Sequence, residues 1–583
     1  MIAQAMISAF EQFLDDPAGI LPADAINPAP QEFDDSDLTD PALGYLSDDA
    51  LPDPESGCII AIIDDAIPFA HETLRLKNGH SRVASIWVQD ARHQPGGTGA
   101  DLPSGIELRG TAIDEWLTSA ASGHIPGEDS IYRQSGTVDM GRPTTPSAAY
   151  AYGHGAAVAA LAAGFSPEDP SARNHPVIAV NLPAKITEDS MGTLAPVSIL
   201  ASMLFIITRA RRLCRFIEKR RGLMAGSVRL PVVVNLSFGL TAGARDGSSL
   251  LEQFMDAVSV SGSDDLGPIH FVLPTGNHRL SRLHGHLNPG QDLGWRLPPD
   301  DRTITGLEVW GPVREGLPDN KLQITLTPPG MAGATTAFSA PWQFTVMHDA
   351  TGQEIARAYY TPRYLGNDQW REGVTVIVMP TCPERLHEPY APAGEWRIGI
   401  SESSVDAEYQ IGVQRDEVIR GFHREARQSW LHDPEYRIHD EAGRLIETDA
   451  QNGGAPRVLR RGTMNAYAGG KHSLRAGAVD GQRMHPSPYC SLLHDDAGGD
   501  CLAVVDRALT QAGMLVRGRN SGSFGVMSGT SMAAPQLTKW LARQLAQGQP
   551  VNDRAAIRAL AVTQSATPFP TPVLPHSDKF PPF

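Results

Sequence analysis

Four unbroken apolar runs constrain this chain most: CIIAIID (58–64), HPVIAVNLP (175–183), LPVVVNLSFG (230–239) and IHFVLPTGN (269–277). A strand wetted on one side alternates apolar with polar residues, whereas a continuous run is expected where both faces are buried, as in a parallel sheet. Helical stretches separate the runs at 154–163, 194–219 and 249–260. Strands alternating with helices require right-handed crossovers, so the expected fold class is α/β, a doubly wound and mostly parallel sheet covered on both faces. The same texture returns at 463–476 and 502–516, followed by a long helix from Ser531 to Gln547.

Between these stretches the period changes. From about 300 to 416 run short strands such as TITGLEVW, LQITLT, WQFTVMHD, EIARAYY, GVTVIVM, EWRIGIS and AEYQIGV. In WQFTV and EWRIGI the apolar residues fall on every second position (Trp342, Phe344, Val346; Trp396, Ile398, Ile400), which predicts one buried face of an antiparallel sheet. We expect an inserted all-β sandwich-like domain. The chain then divides into an acidic, flexible leader (1–56), a first part of the α/β domain (57–295), the β-insert (296–416), a connecting helix and loops (417–459), the second part of the α/β domain (460–550) and a proline-rich tail without a core of its own (551–583). The leader opens with a short amphipathic helix at 1–16 and is extended or unstructured over 15–55.

With 583 residues, 41% of them hydrophobic, the chain has ample material for a core. The formal net charge of −17 argues against nucleic-acid binding, which needs a basic surface. That charge is uneven: residues 1–55 hold 13 acids and no Lys or Arg, and the rest is close to neutral. Cys58, Cys214, Cys382, Cys490 and Cys501 are scattered and give neither a disulfide framework nor zinc-ligand spacing. The start lacks the basic region of a secretory signal, and the most apolar stretch (194–207) is too short for a bilayer and runs into RARRLCRFIEKRR. We read that stretch as a buried helix with an exposed basic end, and expect a cytoplasmic protein without membrane or nucleic-acid partners.

Four polar residues sit at the ends of these elements. Asp64 directly follows the first run, and His154 opens the helix of YGHGAAVAALAAG. Asn277 lies just beyond IHFVLPTG, and Ser531 lies in SGTSMAAPQ at a helix start. A serine hydroxyl is a weak nucleophile until a base takes its proton, and a neutral imidazole suits that task. The imidazole needs a carboxylate to fix its tautomer, and the tetrahedral oxyanion needs donors such as an Asn amide and a backbone N–H. Doubly wound sheets gather their ligands at these strand ends. Together the four residues make a complete acyl-transfer set.

SGTSMAAP (528–535) resembles the nucleophile motif of the subtilisin-like serine peptidases, and YGHGAAVAALAAG resembles their His motif. IIAIIDDAIPFAHE, with His71, resembles their Asp motif; VVNLSFG resembles their substrate strand, and PTGN their oxyanion motif, all in the family's order. The resemblance covers roughly 57–280 and 460–548. It implies a serine endopeptidase in which Asp64 orients His154, His154 is general base and then acid, and Ser531 is the nucleophile. The Asn277 side chain and the Ser531 N–H would form the oxyanion hole, and Ser237, Phe238 and Gly239 would pair with an extended polypeptide substrate. Two other readings use the same residues: a catalytically inactive scaffold or binding protein on this fold, and an esterase-type acyl hydrolase. The VVNLSFG strand favours peptide over a small ester, which has no main chain to pair.

The chain departs from the family at Asp64-Asp65-Ala66, where the family has Asp-Ser/Thr-Gly, and at Ala156, where it has Thr. Adjacent side chains on extended backbone face opposite sides, so Asp65 is expected to point away from the site. Ala66 predicts a turn without the positive φ a glycine would take. His278, His284 and His286 invite a metal reading, but Arg279 and Arg282 between them disfavour a dication, and a solvated basic loop is expected. DDSDLTD (34–40) lacks the Gly and Glu of an EF-hand loop. No metal or cofactor is therefore assigned, although family members often carry structural calcium. The β-insert offers a surface for a protein partner. Only 63 residues precede Asp64, too few for a conventional prodomain. The acidic leader is expected to lie across the active-site face, around Arg279 and Arg282, and restrain activity.

Overall fold

The computed structural model describes residues 44–574, apart from 92–101, 142–147, 149, 184–185, 187–194, 262–264, 320, 339, 384, 386, 404, 418–425, 453–455 and 566–570. The amphipathic start, the Asp-rich 34–40 stretch and the last nine residues lie outside the described residues.

The four apolar runs form β1 (Ile59–Asp64), β4 (Val177–Asn181), β5 (Val232–Leu236) and β6 (Ile269–Pro274). They are joined by β2 (Val83–Val88), β3 (Ile106–Arg109), β7 (Leu474–Asp480) and β8 (Cys501–Asp506) in the order β8-β7-β6-β5-β1-β4-β2-β3. Every neighbouring pair is parallel except β2 with β3. The α-helices given by the described residues include α1 (Gly110–Ala121), α2 (Glu128–Gln134), α3 (His154–Ala163), α4 (Ala195–Arg221), α5 (Leu250–Ser261), α6 (Ala533–Ala546) and α7 (Arg554–Thr563).

Strand alternation divides the core. Ile60 and Ile62 of β1 pack with α3 and α6 on one face, and Ile59, Ala61 and Ile63 pack with α4 and α5 on the other. Burial on both faces is why β1 could afford no polar residue before Asp64. The small residues of α3 let its backbone come close to the sheet: a Cβ on Gly155 would stand 1.5 Å from the Asp65 carbonyl oxygen. That contact fixes the start of α3 against the end of β1.

Two antiparallel sheets follow β6. One runs through Ala334–Thr335, Gln323–Thr327, Gly394–Glu402, Asp292–Leu297 and Trp430–His432. The other runs through Phe344–His348, Glu354–Tyr360, Gln369–Val378, Thr305–Glu315, Tyr409–Val413 and His284–Leu287. Both contribute to a common core holding Trp295, Trp396 and Ile324 from the first and Leu307, Val374 and Ile411 from the second. Antiparallel pairing thus begins before 296 and takes in Trp430–His432 beyond 416. Within 417–459 the described residues hold the strand Trp430–His432 and a 3₁₀ turn at Asp449–Asn452, and 418–425 of the expected connecting helix lie outside the described residues.

Several local expectations are corrected. Trp396, Ile398 and Ile400 are buried, but Trp342 and Phe344 are 53% and 55% exposed. Trp342 has φ 66° and precedes the strand, and Phe344 packs instead on the Arg357 guanidinium. α4 does end exposed, at Lys219–Arg221, but Arg209 at the start of its basic half is fully buried and paired with Glu107 of β3 at 2.8 and 2.9 Å. Arg279 is buried and donates to the Pro488 carbonyl at 2.8 Å, and His284 is a buried strand residue, so 278–286 is no solvated loop. Tyr45, Leu46, Ala50 and Leu51 are buried in the core beneath α4, so the leader's last residues belong to the folded body. The tail also packs, through α7 and the buried Val573 and Leu574. Among the described residues no helix is long and apolar enough to cross a membrane.

Candidate active site

The carboxyl ends of β1 and β6 meet the start of α3 and the 3₁₀ turn Thr530–Met532 that leads into α6. A cleft of about 450 Å³ opens there, bordered by Asp64, His154, Asn277 and Ser531. The sequence-predicted residues are therefore gathered at one place from four separate segments.

Asp64 is buried, and its Oδ1 accepts from His154 Nδ1 at 2.8 Å and from the Asp65 N–H at 2.8 Å. Its Oδ2 is buried without a hydrogen-bond partner. Burial pushes the Asp64 carboxyl up, His154 pulls it back, and the pKa stands at about 6. Burial also disfavours a charged His154 ring, but the Asp64 carboxylate outweighs it and Asp65 adds to the effect, raising the imidazole to about 9.

Asp65 does not turn away. Its Oδ1 accepts from the Gly155 N–H at 3.0 Å, capping α3 beside His154, and it borders the cleft. The alternation rule fails because the strand ends at Asp64 and the chain turns at once: Ala66 takes φ 45°, the left-handed conformation expected to be avoided here. The Asn181 side chain holds this turn by accepting from the Ile67 N–H at 2.8 Å. Asp65 was legible in the sequence as a second carboxylate, but its direction was not.

Ser531 is partly exposed in a turn held from several sides. Thr530 N–H and Oγ1 donate to Asn277 Oδ1 at 2.8 and 2.9 Å, which leaves the amide's Nδ2 as its donor end. A Cβ on Gly529, at φ 114°, would lie 3.1 Å from that Nδ2, so a glycine there leaves the amide room. The Gly529 N–H donates to the Tyr489 hydroxyl at 3.0 Å, and that hydroxyl donates to Asp506 at 2.7 Å. Asp506 also accepts from Ser528 Oγ at 2.8 Å and from the hydroxyl of Ser487. Sequence reasoning missed Tyr489 and Asp506, which carry no motif.

Ser237, Phe238 and Gly239 border the same cleft. Ser237 Oγ donates to the Ser531 carbonyl at 3.2 Å. Asn465 Nδ2 donates to the Phe238 carbonyl at 3.0 Å, and the Ala466 N–H to the Leu240 carbonyl at 2.9 Å. The Phe238 and Leu240 carbonyls are thus taken up by Asn465 and Ala466. Gly239 has no room for a side chain, because a Cβ would overlap Asn465 at 2.2 Å.

Among the described residues, Asp64, Asp65 and His154 are the group whose possible ligand atoms lie within 4.8 Å of one another. Their close atoms already serve the His154–Asp64 and Gly155–Asp65 bonds, so a metal would have to break the arrangement. The cysteines are free, and all but the half-buried Cys382 are buried.

Parallel sheet, flanking helices and antiparallel sheets together make a subtilase-like fold. Among solved structures, the CspB protease of Clostridium perfringens matches at a TM-score of 0.58 and 15% identity, covering 91% of this chain and 90% of that one. A cold-adapted subtilisin-like serine proteinase aligns over 88% of this chain and 84% of its own at 10% identity, with a TM-score of 0.30 that adds no weight. No protein-family model and no curated protein sequence matches the chain.

Proposed function

We propose that the chain is a serine endopeptidase. The observation that carries this reading is the His154 Nδ1–Asp64 Oδ1 bond of 2.8 Å at a cleft that Ser531 and Asn277 also border. Asp64 holds the Nδ1–H tautomer, which directs Nε2 toward the serine as general base. Ser531 attacks the scissile carbonyl, and His154 passes the proton to the leaving amine. The Asn277 Nδ2 and the Ser531 N–H receive the oxyanion. An extended substrate pairs with the backbone edge of Ser237 and Gly239, and this edge favours a polypeptide over a small ester. The two antiparallel sheets are read as an inserted sandwich-like domain, supported by their common core.

The test is labelling by a fluorophosphonate probe together with hydrolysis of a peptide library. Wild type is expected to do both and Ser531→Ala neither. Asn277→Ala is expected to keep the nucleophile and lose about 10²–10³-fold in kcat. Labelling that persists in Ser531→Ala overturns the assignment.

A further inference from the structure

The chain leaving the antiparallel strand Tyr409–Val413 reaches the cleft as Gln414-Arg415-Asp416-Glu417, with burial alternating along it. Gln414 and Asp416 point inward and are anchored. Gln414 Oε1 accepts from the Thr241 N–H at 3.3 Å and from the Arg415 N–H at 3.0 Å. Asp416 takes the Thr303 hydroxyl at 2.9 Å, and its N–H donates to Gln428 Oε1 at 2.9 Å. Arg415 and Glu417 are left facing the other way, and both border the cleft that holds His154 and Ser531.

Arg415 Nε donates to Glu417 Oε1 at 2.6 Å, which steadies the guanidinium plane. Its Nη1 and Nη2 have no partner among the described residues, so the end of the fork is open. Two parallel N–H groups on a planar cation match a carboxylate in bidentate fashion. The carboxylates around the cleft are engaged: Asp64 with His154, Asp65 with Gly155, Glu417 with Arg415. Burial and Arg415 hold His278, also on the cleft, down to a pKa of about 4, so it is neutral at pH 7. A basic side chain entering here would have to displace Arg415 from Glu417, whereas an acidic one finds the fork free.

We propose that Arg415 selects polypeptide substrates with an acidic side chain near the scissile bond, binding its carboxylate through Nη1 and Nη2. This rests on the peptidase reading above. The experiment profiles cleavage by the full-length protein, then compares matched peptides with Glu, Gln or Lys at the preferred position, while the wild type is labelled with the fluorophosphonate. In wild type, kcat/KM for Glu is expected to exceed that for Gln by at least about tenfold, mostly through KM. The ratio falls to about one in Arg415→Gln, and Arg415→Glu favours Lys. A wild type indifferent to Glu, a wild type preferring Lys, or a Glu preference surviving in Arg415→Gln overturns the proposal. If Ser531 is labelled in any of these cases, the peptidase reading stands; a wild type that neither labels nor cleaves sinks both.

Discussion

At neutral pH His154 holds a proton, because the Asp64 carboxylate lifts its pKa to about 9 against the pull of burial. The proposed base must be neutral to take the serine proton. With the raised value, the neutral fraction grows as pH climbs and is small at pH 7. We therefore expect kcat/KM to rise about tenfold per pH unit below about pH 9 and level off above it. Asp64→Asn removes the main upward pull, so the ascending limb should move to lower pH while the plateau drops about 10⁴-fold. Asp65→Asn should shift the limb in the same direction by less, since its contribution ranks behind that of Asp64. A profile flat from pH 6 to 9 would contradict this account. That Asp64, His154 and Ser531 border one cleft was legible because each stood at the end of a readable element. The direction of Asp65 was not, because a turn one residue long decides it.

The buried strands and long helices matched their expected positions closely, since an unbroken apolar run or a run of small residues is a local signal of burial. β2, β3, α1 and α2 were not read: they are shorter or amphipathic, and their burial depends on packing at the sheet edge. WQFTV failed for a related reason, because a period-two pattern says that one face differs from the other but not which face meets the core. The turn carrying Ser531 is held by a second element, through Tyr489 and Asp506. Tyr489→Phe would leave the Gly529 N–H without its acceptor, a loss of about 1–3 kcal/mol for a buried group. We expect kcat to fall roughly tenfold or more with KM little changed, and steady-state kinetics will check it. An equal change in KM alone would mean the network serves substrate binding instead.

For the whole molecule, the acidic leader is the segment to test for control. Arg279 is buried and committed to Pro488, so it offers no landing site for acidic residues. Residues 44–51 pack beneath α4, where Arg220 and Arg221 reach Asp48 and the Leu51 carbonyl. A truncation that tests the leader must therefore spare 44–51, which belong to the core, and remove only 2–43. If the leader restrains the site, that truncation raises the initial peptidase rate severalfold at unchanged thermal stability. An unchanged rate would identify it as having no part in control.

The sequence by itself determined the α/β layering and the placing of Asp64, His154, Asn277 and Ser531 at the ends of its elements. Burial periodicity and functional-group chemistry are both written within a dozen residues. Only the tertiary structure decided which neighbours hold those groups and what else enters the cleft. Tyr489 meets Gly529 across 40 residues of chain, and Gln414 meets Thr241 across 173. Such contacts depend on how whole sheets and their connections pack, and no local pattern records them. Arg415 reaches the cleft for this reason alone: two buried anchors beside it fix which way an otherwise unremarked arginine faces.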